Sequence, residues 1–303
     1  MSSDSNKLSH LKQLEAESIH VIREAVAESE NPVLLSSLGK DSSVLLHLAS
    51  KAFAPGDIPF PLLHVDTDFL FEEMIKFRDY IEGKYGVEVL VQKNEEEKAQ
   101  KLTAEDAYSE EYIYLKKTKP LINALEKYEF DCAFGGARRD EEKSRAKERI
   151  FSIRSEHNVW DPKDQRPELW RLYNAKLKDQ QNMRVFPLSN WTELDVWQYI
   201  KRENLQVVSL YYADNRKVIE RDGMILSVDE FVEPKEDEQV HKKEVRYRTL
   251  GCSPSTGAVV SQADTTEKII EELKESNKSE RSNRAIDDNS ESAMEDKKKE
   301  GYF

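Results

Sequence analysis

The most informative segment of the chain reads Val33-Leu34-Leu35-Ser36-Ser37-Leu38-Gly39-Lys40-Asp41-Ser42-Ser43-Val44-Leu45-Leu46. Its apolar start predicts a buried strand, and the apolar residues from Val44 onward predict a helix, with a short polar loop between them. The first amides of a helix have no partner within the helix, and the helix dipole adds partial positive charge there. Hydroxyl groups of the loop and the Lys40 ammonium supply further donors. The segment therefore predicts a site for an anion such as phosphate.

Residues 37–42 are similar to the pyrophosphate loop, Ser-Gly-Gly-X-Asp-Ser, of enzymes that cleave ATP between its α and β phosphates. Leu38 stands where glycine is the commoner residue. The Walker A pattern of nucleotide-hydrolysing enzymes is absent, because the loop is too short and its glycine and lysine are wrongly spaced. A serine-rich turn that only caps a core helix remains an alternative for so short a segment.

The amino-acid composition excludes several classes of protein. A chain of 303 residues with 38% hydrophobic residues can bury a sizeable core, and a net charge of −13 argues against non-specific binding to nucleic acid or an anionic membrane. No signal peptide or membrane-spanning run is visible, and two cysteines, Cys132 and Cys252, fit a reduced protein, so we expect a cytoplasmic location. The six histidines are scattered, and we predict no metal site built by the protein alone.

Further strands and helices alternate along the chain. The predicted strands span 61–68, 87–91, 130–134 and 184–188, and the predicted helices span 8–27, 71–85, 115–128 and 192–200. This alternation predicts an α/β fold with an open, mostly parallel twisted sheet and helices on both faces. Ligands of such sheets bind at the carboxyl ends of the strands, so Asp66 and Thr67 should lie beside the loop at Ser36. We expect residues 1–215 to form this nucleotide-binding domain and residues 216–303 to form a mostly irregular C-terminal extension.

A second candidate anion site follows the strand predicted at 130–134. It reads Gly135-Gly136-Ala137-Arg138-Arg139-Asp140-Glu141-Glu142-Lys143-Ser144-Arg145. Two glycines and several basic residues at the carboxyl end of a strand suit phosphate or sulfate oxygens. The interleaved acidic residues are also typical of an exposed, salt-bridged helix, and this alternative stays open at the level of the pattern.

Four segments, 36–42, 135–145, 186–200 and 248–259, together resemble the adenosine-phosphosulfate/PAPS reductase superfamily. Longer runs at 133–149 and 160–170 are similar to one family within it, the small catalytic subunits of bacterial two-subunit ATP sulfurylases. The resemblance implies an adenine nucleotide α-hydrolase-like, pyrophosphate-loop fold. Composition alone predicts a disordered tail from Ser276. The resemblance extends into that tail and implies that it orders against the active site or a partner subunit; it is carried by Ser279-Glu280-Arg281, Arg284, Ile286-Asp287, Met294 and Gly301-Tyr302-Phe303.

The resemblance also implies a function. Enzymes of this family transfer AMP from ATP to sulfate in sulfate assimilation, which gives adenosine 5′-phosphosulfate and pyrophosphate. ATP with Mg²⁺ is then the substrate. The implied partner is a GTPase large subunit of elongation-factor type, whose GTP hydrolysis drives the reaction.

Roles for individual residues follow on this basis. We expect catalysis to depend on Lys40, Asp41, Arg138 and Arg139, with Asp41 orienting the loop or reaching Mg²⁺ through water. The residues expected to bind the nucleotide are Ser36, Ser37, Leu38, Gly39, Lys40, Asp41, Ser42, Asp66 and Thr67. Those expected to receive sulfate and the α-phosphate are Arg138, Arg139, Lys143 and Arg145.

Three different functions remain compatible with parts of the pattern. The first is an adenylyl-sulfate or PAPS reductase, which needs a cysteine close to its C-terminus and in many cases holds an iron–sulfur cluster on two cysteine pairs. No cysteine follows Cys252, and Ser255 stands where the second thiol of a Cys-x-x-Cys pair would be, so we expect no cluster. The second is a pyrophosphate-loop enzyme that adenylates a different acceptor, and the third is a non-catalytic nucleotide-binding subunit.

Overall fold

The computed structural model describes residues 9–155 and 158–275, apart from the side chains of Lys143 and Ser144. The helices are α1 (His10–Ala27), α2 (Lys40–Phe53), α3 (Glu72–Tyr85), α4 (Glu97–Gln100), α5 (Glu110–Ile113), α6 (Lys119–Lys127), α7 (Lys143–Ala146), α8 (Glu193–Glu203) and α9 (Thr266–Glu275). The strands are β1 (Pro32–Leu35), β2 (Leu62–Val65), β3 (Val89–Gln92), β4 (Cys132–Phe134), β5 (Phe151–Arg154), β6 (Asn182–Val185), β7 (Asp214–Arg221), β8 (Met224–Ser227), β9 (His241–Arg246) and β10 (Val259–Val260). The polar tail, residues 276–303, lies outside the described residues.

A six-stranded sheet forms the centre of the protein, in the order β3-β2-β1-β4-β6-β5. Its first five strands pair in parallel, and only β5 at the edge runs antiparallel to its neighbour. The chain passes from β1 outward to β3 and then returns to β4 on the other side of β1. Strand order therefore reverses between β1 and β4, which is where ligands bind in open α/β sheets. The predicted open, mostly parallel sheet is confirmed.

Helices cover both faces of this sheet, as predicted. Successive strand residues face opposite layers. Leu34 and Phe134 belong to the main core, which also contains buried residues of α1, α2, α3 and α8. Val33 and Ala133, one position earlier on the same strands, pack with Leu121 of α6 in a second cluster. None of the described helices is both long enough and apolar enough to span a membrane.

The edge strand β5 was not predicted from the sequence. Its residues are Phe151, Ser152, Ile153 and Arg154, and all four are buried. Ser152 and Arg154 made this segment look too polar for a buried strand. Arg154 is buried in an ion pair with Glu148 at 2.5 Å, and Glu148 lies outside the strand. Gln165 of the following loop covers the outer edge, where its side chain bonds both the amide and the carbonyl of Ile153. Covering an edge in this way blocks further strand pairing.

The C-terminal extension is more regular than expected. Strands β7 to β10 form an antiparallel sheet in the order β10-β9-β7-β8, and α9 follows. These strands are rich in charged residues because only part of each strand is buried, as in the exposed start and buried end of β9. Their composition therefore suggested irregular structure. The domain division after residue 215 stays a prediction; the first strand of the second sheet begins at Asp214.

The segment 247–258, between β9 and β10, crosses the carboxyl edge of the parallel sheet. The amide of Tyr247 donates to the carbonyl of Leu210 at 2.9 Å, and the amide of Ser253 donates to the carbonyl of Phe69 at 2.8 Å. The second sheet thus contributes one wall of the site at that edge.

Candidate active site

The loop between β1 and α2 is held together by its own hydroxyl groups. The amide of Leu38 donates to Ser36 Oγ at 3.3 Å, and the amide of Ser37 donates to Ser42 Oγ at 3.2 Å. Leu38 has a φ of +60°, in the left-handed region that favours glycine. This conformation explains why glycine is common here in similar loops. The Leu38 side chain is buried, and the backbone of the loop remains compact beside the first amides of α2.

A charged cluster lies at the N-terminus of α2. Lys40 Nζ is 3.1 Å from Asp41 Oδ2, and Arg138 Nε donates to Asp41 Oδ1 at 2.7 Å. Arg138 also lies 3.8 Å from the carboxylate of Glu141. Lys40 and Arg138 are both buried, and charges of this kind are stable in a protein interior only when they are paired. The structure therefore brings Lys40, Asp41 and Arg138 together, and their catalytic roles stay predictions.

Gly136 allows the loop after β4 to approach α2 closely. A Cβ atom at this position would lie 3.1 Å from Asp41 Cβ and 3.3 Å from the amide nitrogen of Ser42. The preceding Gly135 donates its amide to the carbonyl of Val185 at 2.9 Å, which anchors the loop to the sheet. A residue without a side chain is required here to place Arg138 against Asp41.

A cavity of about 300 Å³ opens next to this cluster, at the carboxyl ends of β1 and β2. The predicted residues that line it are Ser36, Ser37, Gly39, Lys40, Asp41, Ser42, Thr67 and Arg145. Donors from the loop, from the start of α2 and from a guanidinium thus surround one space. That arrangement suits a ligand with several anionic groups.

Other predicted residues lie elsewhere. Leu38 and Arg138 are buried behind the cavity wall. Asp66 Oδ2 lies 3.2 Å from Lys93 Nζ, and Arg139 donates to Asn190 Oδ1 at 2.5 Å; neither residue lines the cavity. The side chain of Lys143 is outside the described part of the chain. The roles assigned to these residues stay predictions.

The sequence pattern missed two residues that shape the loop. The hydroxyl of Tyr211 accepts the amide of Lys40 at 2.8 Å, and a Cβ atom on Gly39 would lie 3.1 Å from the same hydroxyl. His64 Nδ1 donates to the carbonyl of Ser36 at 2.9 Å, and burial lowers the pKa of His64, so its ring is neutral at pH 7. The position of His64 two residues before Asp66, at a strand end, was a usable signal. Nothing near Tyr211 in the sequence pointed to the loop.

Cys252 also lines the cavity. Its sulfur lies 3.0 Å from Thr67 Oγ1, and the Tyr112 hydroxyl donates to it at 3.5 Å. The other cysteine, Cys132, is in β4, and both thiols are free and buried. Within the described ranges, no group of three or more His, Cys, Asp or Glu side chains is arranged to hold a metal ion.

Comparisons with known proteins identify the family of the chain. The profile of the phosphoadenosine phosphosulfate reductase domain matches residues 31–258. Sulfate adenylyltransferase subunit 2 of Vibrio cholerae is 57% identical over 301 residues, which is 99% of this chain and all of the relative. The same subunit of Vibrio vulnificus is 58% identical over the same shares.

Among solved structures, Candida glabrata FMN adenylyltransferase in complex with ATP aligns with 94% of this chain and 91% of its own, at a TM-score of 0.52 and 13% identity. A likeness at this identity concerns the fold alone. The match to the domain profile and the full-length identity to both Vibrio proteins decide the family. The chain belongs to the sulfate adenylyltransferase subunit 2 family, whose members are nucleotidyltransferases built on the phosphoadenosine phosphosulfate reductase domain.

Proposed function

We propose that this chain is the catalytic subunit of a two-subunit sulfate adenylyltransferase and transfers AMP from ATP to sulfate. The observation that carries the proposal is the cavity at the N-terminus of α2, where Ser37, Lys40 and Ser42 face one space beside Arg145. Such a site holds a pyrophosphate group at one end and leaves a second anion to be received nearby. The names of the Vibrio relatives support sulfate as that second anion.

The chemistry requires positioning and charge stabilisation. An oxygen of sulfate attacks the α-phosphorus, the bond from that phosphorus to the bridging oxygen breaks, and pyrophosphate leaves with the electron pair. No proton has to move. The amides of the loop, Ser36, Ser37 and Ser42, together with Lys40, would hold the leaving group, where negative charge accumulates. Asp41 would keep Lys40 and Arg138 in place through its two carboxylate oxygens.

The remaining predicted residues complete this proposal. Thr67 and Asp66 would lie near the nucleoside, and Arg138, Arg139, Lys143 and Arg145 would receive sulfate and the α-phosphate. Asp41 and Glu141 are the carboxylates on the cavity wall that suit the Mg²⁺ bound to ATP. Both oxygens of Asp41 already accept hydrogen bonds, so contact through water fits best, and Mg²⁺ in nucleotide sites usually keeps several waters.

A partner subunit is part of the proposal. A phosphate–sulfate anhydride is a high-energy product, so adenylation of sulfate lies uphill, and this chain has no Walker A sequence with which to hydrolyse GTP. We assign GTP binding and hydrolysis to an elongation-factor-like large subunit, and a cytoplasmic location to the complex. The name subunit 2 carried by the relatives supports a partner.

The test is pyrophosphate release by the complex with ATP, sulfate and GTP. Lys40→Ala should lower kcat by about 10²–10³-fold, because it removes a preorganised donor for the leaving group. Lys51→Ala is the matched control: Lys51 lies on the same helix, pairs with Glu203 at 3.1 Å and lies outside the cavity lining. Release that does not depend on sulfate would indicate a different acceptor and contradict the proposal.

The reductase alternative retains one argument, which is the thiol of Cys252 inside the cavity. If the thiol has only a packing role, Cys252→Ser should keep adenylyl transfer within about threefold, because serine also hydrogen-bonds Thr67. Formation of sulfite from adenosine 5′-phosphosulfate and a thiol donor, lost in Cys252→Ser, would favour the reductase instead.

A further inference from the structure

Lys117 is a half-buried cation on the wall of the cavity. It lies in a π-helical turn, Tyr114–Thr118, which joins α5 to α6. Turns of this kind inside helices occur frequently at functional sites, because the wider turn changes the direction of the side chains that it carries. The Lys117 ammonium is 5.8 Å from the centre of the Tyr112 ring.

The lysines next to it have other partners. Lys116 Nζ lies 2.6 Å from Asp68 Oδ2, and Lys119 Nζ lies 2.6 Å from Glu96 Oε1. Within residues 9–155 and 158–275, no carboxylate lies within ion-pair distance of Lys117. Lys117 therefore lines the cavity, while Lys116 of the same turn and Lys119 at the start of α6 are held in ion pairs and do not line it.

The other cations of the site whose side chains the structure describes are paired with carboxylates. Lys40 and Arg138 both bond Asp41, and Arg145 Nε lies 3.3 Å from Glu142. These pairs balance much of the positive charge at the pyrophosphate loop. An anionic ligand gains more from a cation that has no carboxylate to leave, especially beside apolar groups, where the effective dielectric constant is low. The cavity lining includes Leu121, one helical turn after Lys117, and Leu35, Leu63 and Val65, which pack in the same apolar cluster as Leu121.

We propose that Lys117 binds a tetrahedral oxyanion of the substrates, either a phosphate of the nucleotide or the sulfate acceptor. An ammonium with three donors on a flexible stem suits such a group. The inference rests on the proposed function, because that function supplies the two anions. It adds a binding residue, 77 positions beyond Lys40 in the chain, that no sequence motif indicated.

The test uses steady-state kinetics of the complex with Lys117→Gln, with Lys119→Gln as the matched control. Lys119 is two residues away, pairs with Glu96 and does not line the cavity. Lys117→Gln should raise KM for ATP or for sulfate by about tenfold, with a smaller change in kcat, and Lys117→Arg should recover most of the loss. The substrate whose KM rises identifies the oxyanion.

The inference is overturned if KM for ATP and KM for sulfate are both the same in Lys117→Gln as in wild type. It is also overturned if Lys119→Gln raises KM as much as Lys117→Gln does. A second measurement tests the role of Lys117 separately from the proposed function. Calorimetric titration of the complex with ATP alone, and with sulfate alone, should show the same tenfold weakening for one of them. Unchanged affinities for both overturn the inference; weakened binding in a complex that forms no adenosine 5′-phosphosulfate supports Lys117 and contradicts the proposed function.

Discussion

At the level of single residues, Leu38 combines a buried apolar side chain with a left-handed backbone. Truncation to Ala or Gly removes the same packing, and both variants should be less stable than wild type by about 2–5 kcal/mol. Leu38→Gly should nevertheless be more stable than Leu38→Ala by about 1 kcal/mol, because only glycine lacks the Cβ that penalises positive φ. Urea denaturation of the three proteins measures the difference.

Leu45 provides the matched control for Leu38. It is buried in the interior of α2, where the backbone is helical. Leu45→Gly should therefore be less stable than Leu45→Ala by about 0.5–1 kcal/mol, which is the usual order in a helix. The same order at position 38 would contradict the left-handed conformation of the loop.

His64 should make stability depend on pH. Burial lowers the pKa of His64 from its usual value near 6.5; the hydrogen bond to Ser36 and the charge of Asp66 oppose this by smaller amounts, and Arg78 and Lys93 lower the pKa further. Below pH 6.5 the unfolded chain takes up a proton that the folded ring does not, so the free energy of unfolding falls as pH falls toward the lowered pKa. His64→Asn keeps a donor for Ser36 but does not titrate, so its stability should change less between pH 7 and pH 5.5.

This pH prediction is measured by denaturation at several pH values. The pKa of His47 is also lowered, mainly by burial, but His47 is present in both proteins. The difference between the two profiles therefore reports His64. Parallel profiles would contradict a neutral, buried ring at this position.

At the level of elements, the close approach between the β4 loop and α2 depends on Gly136. Gly136→Ala places a Cβ about 3 Å from the backbone of α2, so the helix N-terminus has to move. We expect a loss of about 1–3 kcal/mol in stability and at least a tenfold loss of adenylyl transfer, since small displacements of reacting groups are costly. Thermal unfolding and initial rates measure both effects.

Gly83 is the control for this change. It is exposed in the interior of α3, and apart from its chain neighbours and the nearby backbone of its own helix nothing lies within 4 Å of the position of its Cβ. Gly83→Ala should raise stability by about 0.5–1 kcal/mol and leave the rate unchanged. A similar loss of activity in both variants would mean that the rate does not report the contact between Gly136 and Asp41.

The elements that were predicted correctly are those whose signals are local. The strand, loop and helix around Lys40 follow from one continuous pattern, and the helix predicted at 192–200 corresponds to α8, which Thr192 caps together with Asp195. Strand β5 was not predicted because its buried Arg154 depends on an ion pair with Glu148, which lies outside the strand. A pattern of hydrophobic residues has no access to such a partner.

At the level of the whole molecule, the site depends on segments far apart in the chain. Tyr211, in a short turn before β7, accepts the amide of Lys40, and residues of the segment 249–256, after β9, line the cavity. The periodicity of hydrophobic residues predicts single strands and helices but not how distant segments pack together. The cavity walls formed by these segments could therefore not be predicted. Lys117, 77 positions beyond Lys40, was missed for the same reason: no local pattern links it to the loop.

The last prediction concerns the ion pair that joins α8 to the segment after β9. Arg248 Nη2 lies 2.6 Å from Glu193 Oε2, and both side chains are about nine-tenths buried. Arg248 immediately precedes the segment that lines the cavity. Arg248→Ala should cost about 3–5 kcal/mol, because it leaves the Glu193 carboxylate buried without this partner. It should also weaken ATP binding, because Thr249 and Gly251 form part of the cavity wall.

Lys201→Ala is the control, because the Lys201–Glu267 pair joins α8 to α9 at 3.1 Å but is more than half exposed. Its loss should cost no more than about 1 kcal/mol of stability.

The double variant Arg248→Met with Glu193→Leu should recover most of the stability, since an apolar pair can replace a buried ion pair. ATP binding should stay weak in the double variant if Arg248 also positions the cavity wall. Chemical denaturation and ATP titration measure the two effects separately. A double variant no more stable than Arg248→Ala would show that the buried carboxylate is not the source of the loss.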